Sequence, residues 1–361
     1  MNAAEHPLAD YYRDLPVVVT GGLGFIGSNV ALGLAEAGAR VTVIDSEAPG
    51  CGANPWNLAA ARAPITVVRA DISDAANFTD LLKDTAAIFN LAGEISHSRS
   101  MEDPERDLAL NTVAQLRFLK VCQAVRPGVR VVYAGTRQVY GKPEYLPVDE
   151  KHPIRPVDFN GIHKRAAEQY HLLLSDHGAL DAVVLRLSNV YGPRMALHLP
   201  QQGFLGTYVR MALGSNPITV YGEGEHVRDP VYVDDVVEAF LRAGAVPSLP
   251  SRVMNIGGPE ALSIRQIATE ICRQRPASPL SEIPFPEGLR NLEVGNYMSD
   301  TTQARAQLNW SPLVSFKDGV QSTLAWYTGN QRHYLPGVPE KQETAAGPPF
   351  ESARIPVPPP I

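Results

Sequence analysis

The chain has 361 residues, a formal net charge of −6 and 44% apolar residues, enough to bury a sizeable core in one large domain or two. Mild acidity without a basic cluster argues against nucleic acid or an anionic membrane surface as partner. No apolar run approaches the roughly 20 residues that span a bilayer. Residues 1–14 carry acids and no apolar centre, unlike a signal peptide. Cys51, Cys122 and Cys272 lack disulfide or metal-ligand spacing, so a cytoplasmic protein with reduced thiols and no metal is expected.

The first element in the chain is also the most informative. Val17, Val18 and Val19 form a β-branched run, followed by Thr20-Gly21-Gly22-Leu23-Gly24-Phe25-Ile26-Gly27. Ala31, Leu32, Leu34, Ala35 and Ala37 then recur at helical spacing before Gly38, and a second apolar run over 41–44 ends on Asp45. Strand, glycine turn, helix, strand and acid in that order make a dinucleotide-binding unit. Gly21 permits the tight turn, Gly24 lets backbone approach a pyrophosphate, and Gly27 lets the helix pack on the strand. The helix opening at Phe25 and Ile26 aims free N–H groups at the phosphates. Asp45 is placed to accept hydrogen bonds from an adenosine ribose and repels a 2′-phosphate, so the expected cofactor is NAD rather than NADP.

The glycine spacing within this Thr-Gly-Gly-x-Gly-Phe-Ile-Gly stretch resembles the extended short-chain dehydrogenase/reductase family, which modifies nucleotide sugars. The resemblance extends to about Tyr327. It implies an α/β fold, a doubly wound parallel sheet (Rossmann), with a smaller α+β C-terminal substrate domain. The expected division is 15–190 plus 231–257 for NAD, 191–230 plus 258–328 for the sugar nucleotide, and a Pro-rich tail over 329–361 that is disordered or strapped across a partner.

Residues 46–56 read as a loop at the adenine end and 65–68 as a buried strand. Asp71, before Ile72, has two readings: a helix N-cap, or the family aspartate on the adenine amine. Residues 86–93 form a strand ending in Leu91, Ala92 and Gly93, small enough to bring backbone near the cofactor. The polar loop after it holds Glu94, His97 and Arg99, pocket candidates because ligands sit beyond the carboxyl ends of such strands. Asn111 resembles the asparagine that supports the active-site backbone.

Another buried strand, 129–133, leads to Thr136-Arg137-Gln138-Val139-Tyr140-Gly141. The resemblance makes Thr136 the catalytic hydroxyl that bonds the sugar oxygen undergoing oxidation, with Arg137 on the substrate side. Family dehydratases carry an acidic pair where this chain has Arg137 and Gln138, which counts against a 4,6-dehydratase.

The helix starting near Asp158 departs from the family pattern, which has tyrosine and lysine four residues apart on one face. Here the lysine is Lys164 and the tyrosine position is Asn160. Lys164 retains its role on the nicotinamide ribose. Asn160 can orient a hydroxyl but does not titrate. The base is then His163, next to Lys164, or His97 or Glu94; or the substrate needs little help; or the protein binds without turnover.

Residues 182–187 form the sixth strand, running into Asn189, which resembles the asparagine on the sugar diphosphate. Arg228 matches the family arginine on the diphosphate, with a salt bridge to Asp229 as its plainer reading. Asp234 and Asp235 are expected to cap the following helix, and Ser263 another. Arg290 resembles a second diphosphate arginine, and Glu293 an acid on the nucleoside ribose, although Asn291-Leu292 departs from the family spacing.

The leading expectation is an NAD-dependent nucleotide-sugar epimerase working through a transient keto intermediate. A dehydratase or oxidoreductase with an altered base, and a catalytically silent binding protein, are the alternatives. The resemblance implies a homodimer through the helices beginning near Met101 and Asp158, whose apolar positions Leu116, Leu119, Leu172 and Leu173 could equally be core.

Overall fold

A computed structural model describes residues 7–199, 203–286, 293–335 and 352–354. Six apolar runs form strands β1 (Pro16–Thr20), β2 (Arg40–Asp45), β3 (Ile65–Arg69), β4 (Ala87–Asn90), β5 (Arg130–Thr136) and β6 (Asp181–Leu187). With Val253–Ile256 they pair in parallel in the order Val253–Ile256, β6, β5, β4, β1, β2, β3, and Ser352–Arg354 adds beyond β3. The expected doubly wound α/β sheet is therefore present. Its strands read as nearly continuous apolar runs because helices cover both faces. Val17, Val19, Val41 and Val43 join one core with Val30, Leu34 and Phe240. Val18, Ile44, Ile88 and Val131 join the other with Phe118, Leu119 and Cys122. Strand order reverses between β1 and β4, and this switch point opens a crevice beyond the carboxyl ends.

A third core surrounds the parallel pair Ile218–Tyr221 and Leu280–Ile283. Ile218 and Val220 of the first strand meet Tyr208, Ile267, Ile271, Phe316, Leu324 and Tyr327 from the helices Gly203–Leu213, Ile264–Gln274 and Phe316–Asn330. Ser263 caps its helix with a full capping box. Phe25 and Trp56, from the glycine turn and the loop after β2, pack against this core.

Several boundaries differ from expectation. The helix Pro7–Tyr12 belongs to the larger body, since buried Tyr12 donates to Leu241 O at 2.6 Å. Ala304, Leu308 and Trp310, expected in the smaller domain, pack in the larger core instead. Asp235 does not cap its own helix: its carboxylate accepts from Leu313 N and Val314 N, each at 3.1 Å, and ties down the returning chain. Phe316–Asn330 runs into the expected tail, and Tyr334 is buried, donating to Asn57. Among the described residues no helix is long and apolar enough to cross a membrane.

Candidate active site

One cleft of about 310 Å³ follows the carboxyl ends of the central strands. At its first end, Gly21 has φ +66°, and a Cβ there would stand 2.9 Å from Ala92 backbone. A Cβ on Gly27 would lie 2.2 Å from Gly21 O, so the helix rests on the turn only because Gly27 has none. Gly24 begins the helix Phe25–Glu36 without a side-chain cap, leaving first-turn N–H groups for an anion. Phe25, Ile26, Leu91, Ala92 and Gly93 line the same space.

Asp45 ends β2 in the cleft wall and accepts from Leu23 N at 3.0 Å and Glu47 N at 2.8 Å. Burial pushes its carboxyl above the ordinary range, against the pull of those two bonds. Asp71 caps the turn Ile72–Phe78 by accepting from Ser73 N at 2.7 Å, and it lines the cleft beside Ile72. The capping role is therefore real and leaves the cleft-facing role open.

At the other end, the wall is built by polar ties between helices. A π-helical turn over Ala109–Val113 sets Asn111 against the loop after β4. Its amide accepts from Glu94 N and donates to Glu94 O, both at 3.1 Å. Asn160 donates to the same carbonyl at 3.0 Å and to Asp107 Oδ2 at 2.9 Å. The second Asp107 oxygen holds His163 Nδ1 at 2.7 Å. Asn160 and Lys164 line the cleft, whereas His163 is turned to Asp107 and does not. Burial pushes Lys164 down to about 8, opposed by Asp107 and Glu94.

Thr136 closes β5 at this end, its hydroxyl oxygen accepting from Gln138 N at 3.2 Å. Glu94 points elsewhere: its carboxylate accepts from Ile95 N and Ser96 N and lies 3.4 Å from Arg99. Arg99 also donates to Gly50 O at 2.9 Å, so both charges brace loops. His97 does line the cleft, with Nδ1 on Asp158 and Nε2 on the Gln138 side-chain amide. Asp158 was visible in the sequence as a helix opener; Asp107, in the middle of a helical stretch, carried no signal.

On the substrate side, Asn189 lines the cleft with its Oδ1 buried and unpartnered. Arg228 donates to Glu293 at 2.8 Å, not to Asp229, which accepts from Ser188 and Ser299 instead. Arg137 stacks 4.8 Å over the Tyr297 ring, and burial beside Arg228 pushes it down to about 10. Arg137, Arg228 and Glu293 thus come together, but none of them lines the cleft; Glu293 lines a separate hollow with His226 and Gly295. Arg290 lies outside the described residues.

Residues 17–257 match the family model described as the NAD dependent epimerase/dehydratase family. The chain belongs to this family. Among its members, the UDP-glucose 4-epimerase of Mycolicibacterium smegmatis is 32% identical over 316 residues, 86% of this chain and 97% of the relative. The UDP-glucose 4-epimerase of Thermotoga maritima, solved with UDP-glucose, superposes with a TM-score of 0.78 at 28% identity, covering 88% of this chain and 99% of that one. DesIV, a dTDP-glucose 4,6-dehydratase from Streptomyces venezuelae solved with NAD, gives a TM-score of 0.78 at 27% identity, covering 89% and 99%. The cofactor of the family is NAD, and the cradle of Gly21, Gly24 and Gly27, which any Cβ would fill, with Asp45 opposite, fits it.

Proposed function

We propose that this protein epimerises a nucleotide-diphosphate sugar through a transient keto intermediate. One observation carries the reading. The end of the cleft that holds Thr136 and Lys164 is lined by no carboxylate among the described residues; the lining acids, Asp45 and Asp71, belong to the other end. Expelling a sugar hydroxyl as water needs an acid at the leaving group, whereas inversion through a ketone needs only proton and hydride exchange at one carbon.

Bound NAD supplies a hydride acceptor that becomes the donor for the return, so no net redox change is required. The chain's own residues do the rest. Thr136 hydrogen-bonds the oxygen at which charge develops, and Lys164 adds positive charge beside it. Asn189 offers an unpartnered carbonyl oxygen to the substrate. Arg228 and Arg137, with Arg290, answer the diphosphate, and Glu293 releases Arg228 to take the ribose. Free thiols suit a cytoplasmic location.

A second copy of the chain completes the reading as a homodimer. Met101, Leu116, Phe159, Ile162 and Leu173 are exposed on the helices expected at the interface, while Leu119 is core and Leu172 is half-buried.

Incubating the purified protein with NAD and a panel of UDP-, dTDP- and CDP-sugars, with NMR of the products, tests the activity. An inverted stereocentre without accumulated NADH is the expected result. A 6-deoxy-4-keto or decarboxylated product, or an unchanged sugar throughout, overturns it.

A further inference from the structure

Removing the hydroxyl proton requires a titrating group at the Thr136 end of the cleft. The titratable residues lining the whole cleft are Asp45, Cys51, Asp71, His97 and Lys164. The first three belong with the dinucleotide cradle, and Lys164 is a cation at neutral pH. Asn160 cannot accept a proton, and its amide is already spent on Glu94 O and Asp107. His163 is held outside the wall by Asp107, and Glu94 by Arg99 and two backbone N–H groups.

His97 is built differently. Asp158 is buried and fixed, one oxygen accepting from Gly161 N at 2.7 Å as the cap of the helix Phe159–Asp176 and the other holding His97 Nδ1. A carboxylate on Nδ1–H selects the tautomer whose lone pair is on Nε2. That nitrogen meets the Gln138 amide, on the turn that starts at Thr136, so the imidazole and the hydroxyl share one wall. Gln138 Oε1 is buried without a partner. Nε2 has a single lone pair, so the substrate hydroxyl takes the place of the Gln138 amide on this nitrogen when it gives up its proton.

Resting on the epimerase reading above, we infer that His97 is the catalytic base that stands in for the missing tyrosine, with Asp158 as its positioning residue. The substrate hydroxyl proton passes to Nε2, and its electron pair stays on oxygen and becomes the carbonyl; bound NAD would accept the hydride from that carbon. Return of both restores the alcohol. Charged groups around the ring are Asp158 in contact, Arg137 acting on Asp158, and Lys164 on the same wall. Burial raises Asp158, but the bonds from His97 and Gly161 outweigh it and hold the carboxyl below its usual range, so it stays ionised beside an imidazolium.

The test is the pH profile of kcat and KM for the wild type, His97→Asn and Asp158→Asn, with NAD content and melting temperature. The working base is the neutral imidazole, so the wild-type rate is expected to show an acid limb along which it rises with pH. His97→Asn is expected to lower kcat about 10²–10⁴-fold, abolish that limb, and leave KM and bound NAD unchanged. Asp158→Asn keeps a good cap and is expected to lower kcat with KM and bound NAD unchanged, because the ring loses the carboxylate that fixes its tautomer. If His97→Asn misfolds, the kcat-against-KM split of Asp158→Asn decides. A His97→Asn enzyme with wild-type kcat and limb, or an Asp158→Asn enzyme with wild-type kcat, overturns the inference while epimerisation stands. A wild type that inverts no sugar overturns the epimerase reading, and the base with it.

Discussion

Lys164 shows at the scale of one residue what burying a cation in a cleft wall costs. The cation is buried in the wall between Asp107 and Glu94, and burial pushes it down to about 8 from an ordinary 10.5. Between those two values the unfolded chain holds a proton that the native state has lost, so stability rises with pH there; below about 8 the full penalty applies. Lys164→Met is therefore expected to gain about 1–3 kcal/mol at pH 7 while losing activity, with the gain shrinking toward pH 10. Calorimetry across that range checks it, and a variant less stable than the wild type at pH 7 would refute it. Helical spacing in the sequence puts residues 160 and 164 on one face, and the structure does so. It could not show that residue 163 would be captured by Asp107, because that partner comes from another helix more than fifty positions away.

At the scale of elements, the glycine turn and the helix after it act as one rigid unit. The 2.2 Å approach that a Cβ on Gly27 would make is to backbone, which no rotamer change relieves. Gly27→Ala is expected to destabilise the fold by about 3 kcal/mol and to yield protein without bound NAD, read by thermal melting and by the nucleotide absorbance of the purified sample. Retention of stoichiometric NAD at wild-type stability would show that the helix can retreat from the turn. The π-helical turn over Ala109–Val113 is the opposite case. Its residues give no local signal for an extra backbone position, and its role appears only when Asn111 meets the Glu94 backbone.

For the whole molecule, the helices that line the cleft also carry exposed apolar side chains. Leu173 is 55% exposed and Ile162 48%, on the helix that supplies Asn160 and Lys164 from its inner face. On the proposed homodimer, replacing both with Lys is expected to leave a monomer with the cleft intact, measured by light scattering on the eluting protein beside the wild type. An unchanged oligomeric state would place any interface elsewhere.

Local chemistry determined the parallel sheet, the NAD cradle and the alignment of Asn160 with Lys164. In each case the requirement lies within a short stretch: β-branched runs buried on both faces, glycines where a Cβ cannot fit, a helical repeat. The rest was decided by contacts between distant segments. Trp310 joined the larger core because Asp235 O was there to accept its indole N–H at 2.8 Å. Arg228 found Glu293 rather than its neighbour Asp229, which Ser188 and Ser299 had already engaged. Of the three base candidates left open by the sequence, only His97 reached the cleft. Packing of the Asp158 cap against the loop after β4 turned it there, and residue spacing along the chain holds no record of that contact.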